Sequence, residues 1–217
     1  MTINHHPREE MLLDYVSGAL GEAWSIAIAT HLSVCPQCRR VASGLETLAG
    51  SVLKELSDEV VEPSTLDSVL SRLEEGERRT NRMELDSLEV VCLPKPLRDY
   101  TGGDLDTVRW KRLGPVAHQV VVCAESDGTV ARLLRIPAGK PVPEHSHGGD
   151  EITLVLRGAF EDHLGLYERG DMQSVDASIT HRPYAVPGED CICLAVTDAP
   201  LQFRSMTARL LQPVVGI

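Results

Sequence analysis

Apolar positions recur at helical spacing through the first third of the chain and at strand spacing through much of the remainder. From Glu9 to Ser17, Met11, Leu12, Tyr15 and Val16 keep the helical alternation, and Gly18 ends the run. Glu22 to Ser33 repeats it with Trp24, Ile28, His31 and Leu32. A third helix is predicted from Pro36 to about Leu56, because Leu45, Leu48, Ala49, Val52, Leu53 and Leu56 fall at i, i+3, i+4, i+7, i+8 and i+11. Pro36 suits its first turn, where a missing N–H has no partner to lose. A fourth begins after Pro63, with Ser64 as N-cap, Asp67 three residues on, and Leu66, Val69, Leu70 and Leu73 on one face. Each helix is expected to be amphipathic, with part of the apolar stripe reserved for a partner. Further along, VARLLRIP, EITLVLRGAF, DCICLAVTD and LQFRSM are short β-rich runs separated by Gly or Pro turns. They predict an antiparallel sandwich or barrel.

Breaker residues sharpen this division. Residues 1–85 hold 5 Gly and 3 Pro, against 12 and 10 in residues 86–217. The expected organisation is α+β in two domains: helices over 1–85, a linker over 86–100, and β-structure over 101–217. The charged run GERRTNRMELDS and the breaker-rich LPKPLRDYTGGD mark the junction. No internal repeat or low-complexity tract interrupts the pattern.

Composition narrows the function classes. The 217 residues are 42% hydrophobic and 24% charged, as in ordinary globular proteins. The longest apolar run, Cys191 to Val196, is six residues, far short of the roughly 20 that a membrane span needs. The N-terminus MTINHHPREEM lacks the basic-then-apolar order of a signal peptide, so a cytoplasmic location is expected. Net charge is −11. That field opposes direct contact with nucleic acid but suits a basic protein partner. In residues 1–85 alone, 14 acidic side chains face 8 basic ones, net −6. Six cysteines in a reducing compartment read as thiols or metal ligands.

Two clusters carry candidate chemistry. His31-x3-Cys35-x2-Cys38 spans the end of the second helix and the start of the third. Cys35-Pro-Gln-Cys38 turns two sulfurs toward one point, and His31 lies one helical turn before Cys35. Amides at a helix start favour thiolates. Three ligands within eight residues suit tetrahedral zinc, and a closed site needs a fourth. His5 or His6 can supply it, and His6 is the expectation. Two thiolates and two neutral imidazoles cancel the charge of the ion, which would tie the N-terminal arm to helices two and three.

The second cluster is Gly139-x5-His145-x-His147-x3-Glu151-x6-Gly158. His145 and His147 alternate by two, so on a strand both side chains project to one face. Glu151 reaches the same point if His147-Gly-Gly-Asp turns. His181, ten residues after Gly170-Asp171, is the candidate fourth ligand. His118 and His163 have no such company and read as ordinary histidines. Cys191 and Cys193 alternate on one strand face and read as small core residues, with an oxidant-sensing role as the alternative. Cys92 and Cys123 carry no motif.

Both clusters resemble known families. Residues 1–80, with HLSVCPQCRR and an upstream histidine, are similar to the zinc-binding anti-sigma domain, a helical clamp on extracytoplasmic-function-type sigma factors. The spacing from Gly139 to Gly158 resembles the first motif of the cupins, small β-barrels. The second cupin motif is imperfect: Val175-Asp176-Ala177 replaces its proline-x-glycine, and no asparagine follows His181 at the usual spacing. Together the halves resemble the ChrR-type anti-sigma factors. That resemblance implies a zinc-stapled four-helix domain sufficient to hold a sigma factor, and a cupin barrel needed for its release under singlet oxygen or related oxidants. It also implies one zinc in each domain. The rival reading is a metal-dependent cupin enzyme, a dioxygenase or isomerase with iron or manganese at His145, His147, Glu151 and His181. Oxidation of Cys35 and Cys38 is a third route to release, disfavoured because a closed zinc shell covers the thiolates.

Overall fold

The computed structural model describes residues 2–58, 60, 62, 64–77, 92–114 and 116–203. Four helices fall where the pattern places them: α1 (Glu9–Ser17), α2 (Glu22–Val34), α3 (Pro36–Leu53) and α4 (Ser64–Glu77). Gly18 ends α1 with φ +74°, the left-handed conformation that an L side chain resists. A fifth helix, α5 (Lys95–Thr101), occupies what the sequence reads as linker. The supposed breakers are its boundaries. Pro94 is the N-cap, Pro96 sits in the first turn where no N–H is missed, and Gly102 closes the end at φ +72°. Leu97 between them is fully buried. The remainder of that junction, residues 86–91, lies outside the described residues.

Among the described residues twelve strands follow: β1 (Lys111–Leu113), β2 (Ala117–Ala124), β3 (Val130–Ile136), β4 (His145–His147), β5 (Glu151–Arg157), β6 (Ala159–Asp162), β7 (Gly165–Glu168), β8 (Met172–Val175), β9 (Thr180–His181), β10 (Tyr184–Ala185), β11 (Cys191–Thr197) and β12 (Leu201–Phe203). They form a six-stranded sheet, β1-β2-β3-β11-β5-β8, and two three-stranded sheets, β10-β6-β7 and β12-β4-β9. All strand pairs are antiparallel. The strands make an all-β domain, and among the described residues the three sheets are not joined to one another by strand pairing. The final part of the run LQFRSM, residues 204–206, lies outside the described residues.

β11 organises the large sheet. Ile192, Leu194 and Val196 join a core with Ala131, Leu133, Ile152 and Leu154 of the sheet and Ile26, Ala27 and Ile28 of α2. Cys191 falls in a second cluster with Ile136, Val155, Phe160, Tyr167 and Ala185. Gly158 (φ +66°) turns β5 into β6, and a Cβ there would lie 2.6 Å from the Asp190 carbonyl oxygen.

Compactness cuts the chain differently from the boundaries drawn on sequence. Residues 1–47 and 91–217 form one compact unit, and residues 48–90 form another. In the first, α2 is not the one-sided helix its spacing predicts. Ala23, Ile26, Ala27, Ile28, Thr30 and His31 are all buried, and its neighbours include β2, β3, β11 and α5. A helix that is apolar nearly all round belongs inside a core. Its first turn is capped from the β-domain, where Glu125 Oε1 accepts the Ala23 N–H at 2.9 Å. The second unit holds the last turns of α3 and all of α4. There Leu48, Val52 and Leu53 of α3 are exposed, as are Leu66, Val69, Leu70 and Leu73 of α4.

Candidate metal centres

His6, on the arm before α1, meets His31 of α2, Cys35 at the α2–α3 corner and Cys38 in the first turn of α3. One donor atom from each lies within 4.8 Å of all the others. His6 Nδ1 is 3.5 Å from Cys35 Sγ and 3.4 Å from Cys38 Sγ, and His31 Nε2 is 3.3 Å from Cys38 Sγ. Zinc–sulfur bonds of about 2.3 Å and zinc–nitrogen bonds of about 2.0 Å give tetrahedral edges of about 3.3–3.8 Å. The observed spacings fit that figure. The Cys38 N–H also points at Cys35 Sγ, at 3.4 Å, as expected of an amide at a helix start beside a thiolate. His5, the alternative fourth residue, turns away to Asp171 and Tyr167.

Burial, and then the neighbouring His6, push His31 down to about 4, so its ring is neutral with a lone pair to offer. Burial, followed by the hydrogen bond and charge of Cys35, pushes the Cys38 thiol up to about 12. A cation reverses that preference by favouring the thiolate, so loading this centre releases protons.

The second group is built by strand register. His145 of β4 is paired directly with His181 of β9, and His147 follows two residues along β4 on the same face. His181 Nε2 lies 3.1 Å from His147 Nε2 and 3.2 Å from His145 Nε2, with all three rings buried. Three lone pairs converging at this spacing fit one divalent ion with bonds of about 2.1 Å. The outer nitrogens face supporting groups: His145 Nδ1 lies 2.8 Å from the Pro143 carbonyl, and His181 Nδ1 lies 2.8 Å from Asp162 Oδ2. Such partners fix the tautomer that leaves Nε2 free to ligate. Glu151 stands apart from the trio. Its Oε2 approaches His147 from the other ring nitrogen, Nδ1, at 3.5 Å, and its Oε1 accepts from Thr153. Burial raises the Glu151 carboxyl to about 7 against the lowering pull of Thr153.

Asp162 has no motif in the sequence, and only the contact of its side chain with His181, made between two different sheets, reveals it. Burial works against its charge, but hydrogen bonds from His181, Gln173 and the Leu164 N–H outweigh burial and hold it at about 2. A cavity of about 290 Å³ opens beside the trio, lined by Leu134, Ile136, Phe160, Leu201 and Phe203. Cys191 and Cys193 also line it. Their mutual hydrogen bond, and then burial, raise Cys193 well above the usual thiol range, so it stays protonated. His118 is half-buried on β2 and His163 is exposed in a turn, neither in a cluster of potential ligands among the described residues.

Burial sets a pH dependence. His145 and His147, like His31, are pushed down to about 4 by burial first and by neighbouring histidines second, against 6.5 for an unperturbed ring. The unfolded chain therefore binds more protons than the folded one between these values. Their contribution to stability is complete above about 6.5 and drains away as pH falls toward 4. The urea midpoint of chelator-treated full-length protein should accordingly decline from pH 6.5 to 4.5. A flat midpoint across that interval would contradict the buried, proton-refusing rings.

Residues 100–200 match the family model described as the ChrR cupin-like domain. The Anti-sigma-E factor ChrR of Cereibacter sphaeroides is 41% identical over 217 residues, covering 100% of both chains. A crystal structure of Rhodobacter sphaeroides SigE in complex with the anti-sigma ChrR superposes with a TM-score of 0.77 at 39% identity. That match covers 90% of this chain and 99% of the other. An RmlC-like cupin protein from Ralstonia eutropha is 21% identical, with a TM-score of 0.43 over 48% of this chain and 71% of its own. The family-model match over residues 100–200 makes the β-domain cupin-like, with the helices amino-terminal to it. The chain belongs to the ChrR family of anti-sigma factors, regulatory proteins rather than enzymes. Among the described residues no helix is long and apolar enough to cross a membrane.

Proposed function

We propose that this protein sequesters an extracytoplasmic-function-type sigma factor and releases it when singlet oxygen or a related oxidant reaches the cupin-like domain. In this reading residues 1–85 act as the zinc-stapled four-helix clamp, 86–100 join it to the responding half, and 101–217 provide the responding half as a cupin barrel, all in the cytoplasm. His6, His31, Cys35 and Cys38 hold one zinc. His145, His147, Glu151 and His181 hold the second, with Glu151 turning in from the His147 side. A bound zinc supplies charge neutralisation and a fixed tetrahedral or higher coordination shell.

The carrying observation is the uncovered apolar surface of α3 and α4. Seven large apolar side chains on these two helices, Leu48, Val52 and Leu53 of α3 and Leu66, Val69, Leu70 and Leu73 of α4, are 45–67% exposed. Stripes of this kind on helices mark a docking surface. The occupant is the sigma factor. The net charge of −6 over residues 1–85 complements a basic, DNA-reading protein, and the crystal structure that superposes is a relative seated on one. Pro36 and Cys38 stand in the first turn of the helix whose last turns carry Leu48, Val52 and Leu53.

Co-expressing the full chain with the sigma factor encoded beside it should yield a stable complex that blocks transcription in vitro. His145→Ala should bind and inhibit as well as the parent, within about twofold, yet fail to let go under an illuminated photosensitiser. Failure of the unsubstituted chain to form the complex would overturn the reading, and normal release by His145→Ala would remove the second centre from it.

A further inference from the structure

A short run of hydrogen bonds joins the two centres through residues that ligate at neither. At the cupin-like end, the Asp162 Oδ2 that faces His181 also accepts from Gln173 Nε2 at 3.0 Å. Gln173 follows Met172 on β8, and the Met172 N–H donates to the His5 carbonyl at 3.1 Å. Asp171, just before β8, is 1% exposed. Its Oδ1 accepts the N–H groups of Asn4 and His5 at 2.7 and 3.0 Å, and its Oδ2 accepts that of Glu168 at 3.0 Å. The next residue of the arm is His6.

The turn at Gly170–Asp171 is pressed from both sides of the amino-terminal cluster. Ile3 lies so close over Gly170 (φ +92°) that a Cβ there would meet Ile3 Cδ1 at 2.7 Å. On α2 the His31 ring is fully buried, and the Asp171 charge acts on it. The arm that leads into His6 rests on this one turn of the cupin-like domain.

We propose that Asp171 is a positioning residue for the amino-terminal metal centre, and the joint through which the His145–His147–His181 group sets how firmly that centre keeps its ion. The inference rests on the reading that both groups bind metal. Asp171 and the Met172 N–H together grip the His5 peptide, so the arm cannot move independently of β8. One residue later His6 must place its nitrogen within about 0.2 Å of the tetrahedral position. Changing the partners of Asp162 alters the hold on Gln173, and any shift of β8 is delivered to His6. A buried carboxylate that accepts from three backbone amides also makes the grip firm, since removing its charge weakens all three bonds at once.

The test uses the full-length chain loaded with cobalt. Thiolate-to-cobalt absorption reports the amino-terminal centre, since the other group has no cysteine ligand. Asp171→Asn should speed cobalt loss to excess EDTA at least tenfold, with the far-UV circular dichroism unchanged. Asn4→Pro removes one donor from the arm without touching β8, and should act in the same direction even if Asp171→Asn does not fold. His181→Ala should alter the rate at least threefold in the parent and not at all in the Asp171→Asn background. Unchanged kinetics in both Asp171→Asn and Asn4→Pro would overturn the proposal, as would an equal effect of His181→Ala in the two backgrounds. Absence of the absorption band from the unsubstituted chain would bring down the metal reading itself, and the inference with it.

Discussion

Cys35→Ala should cost the protein its grip on the sigma factor, by at least 100-fold in Kd, and one zinc per chain in elemental analysis. Cys35 stands at the corner between α2 and α3 and is 1% exposed. Removing its sulfur leaves His6, His31 and Cys38 with an incomplete shell. Structural zinc contributes roughly 10–16 kcal/mol of apparent binding free energy in small domains, comparable with a typical domain stability of about 5–15 kcal/mol. The consequence is local, however. α2 is held by the sheet through Ile26, Ala27 and Ile28 and capped by Glu125, so it should survive. What comes loose is the arm and the start of α3. Circular dichroism should show a modest loss of helix, and a chelator should reproduce it in the parent. Full retention of partner affinity in metal-free Cys35→Ala would show that the cluster has no part in binding.

The second large effect is expected from Leu66→Glu combined with Leu70→Glu. These side chains are 65% and 48% exposed on α4, so carboxylates there meet water and cost the free protein little. In a complex they would be buried unpaired. Interface residues of this kind contribute about 1–2 kcal/mol each on truncation, and an unpaired charge adds to that. Affinity should fall about 100-fold or more, while the thermal midpoint of the free protein shifts by less than 2 °C, as surface substitutions do. Titration calorimetry with the purified sigma factor measures the first, and scanning calorimetry the second. Unaltered affinity would move the docking surface elsewhere.

Much of the local structure was legible because local signals determine it. The stops at Gly18 and the proline at Pro36 bound real helices, and the His145-x-His147 alternation is a real strand with both rings on one face. The four donors of the amino-terminal cluster fall within 33 residues, so spacing alone could propose them. α5 was hidden because Pro94 and Pro96 were read as breakers, although proline starts helices as readily as it ends them. The all-round burial of α2 did have a signal. From Ala23 to Val34 it carries no Asp, Glu, Lys or Arg, a composition of interior helices, although the three- and four-residue spacing points to one face. Asp162 leaves no trace, and Asp171 shows only as half of the Gly170-Asp171 pair ahead of His181, since the partners of both are made by tertiary pairing. Asp171 meets Asn4 across 167 residues, and no periodicity reaches that far.

The interior character of α2 has a practical outcome for anyone dividing this protein. Cut before the strands begin, the amino-terminal piece would carry a rod that is greasy on nearly every side, stripped of the sheet it beds against and of the glutamate that finishes its first turn. Such a fragment has two ways to hide that rod, by clumping or by clinging to a companion, and is best prepared in the company of its target.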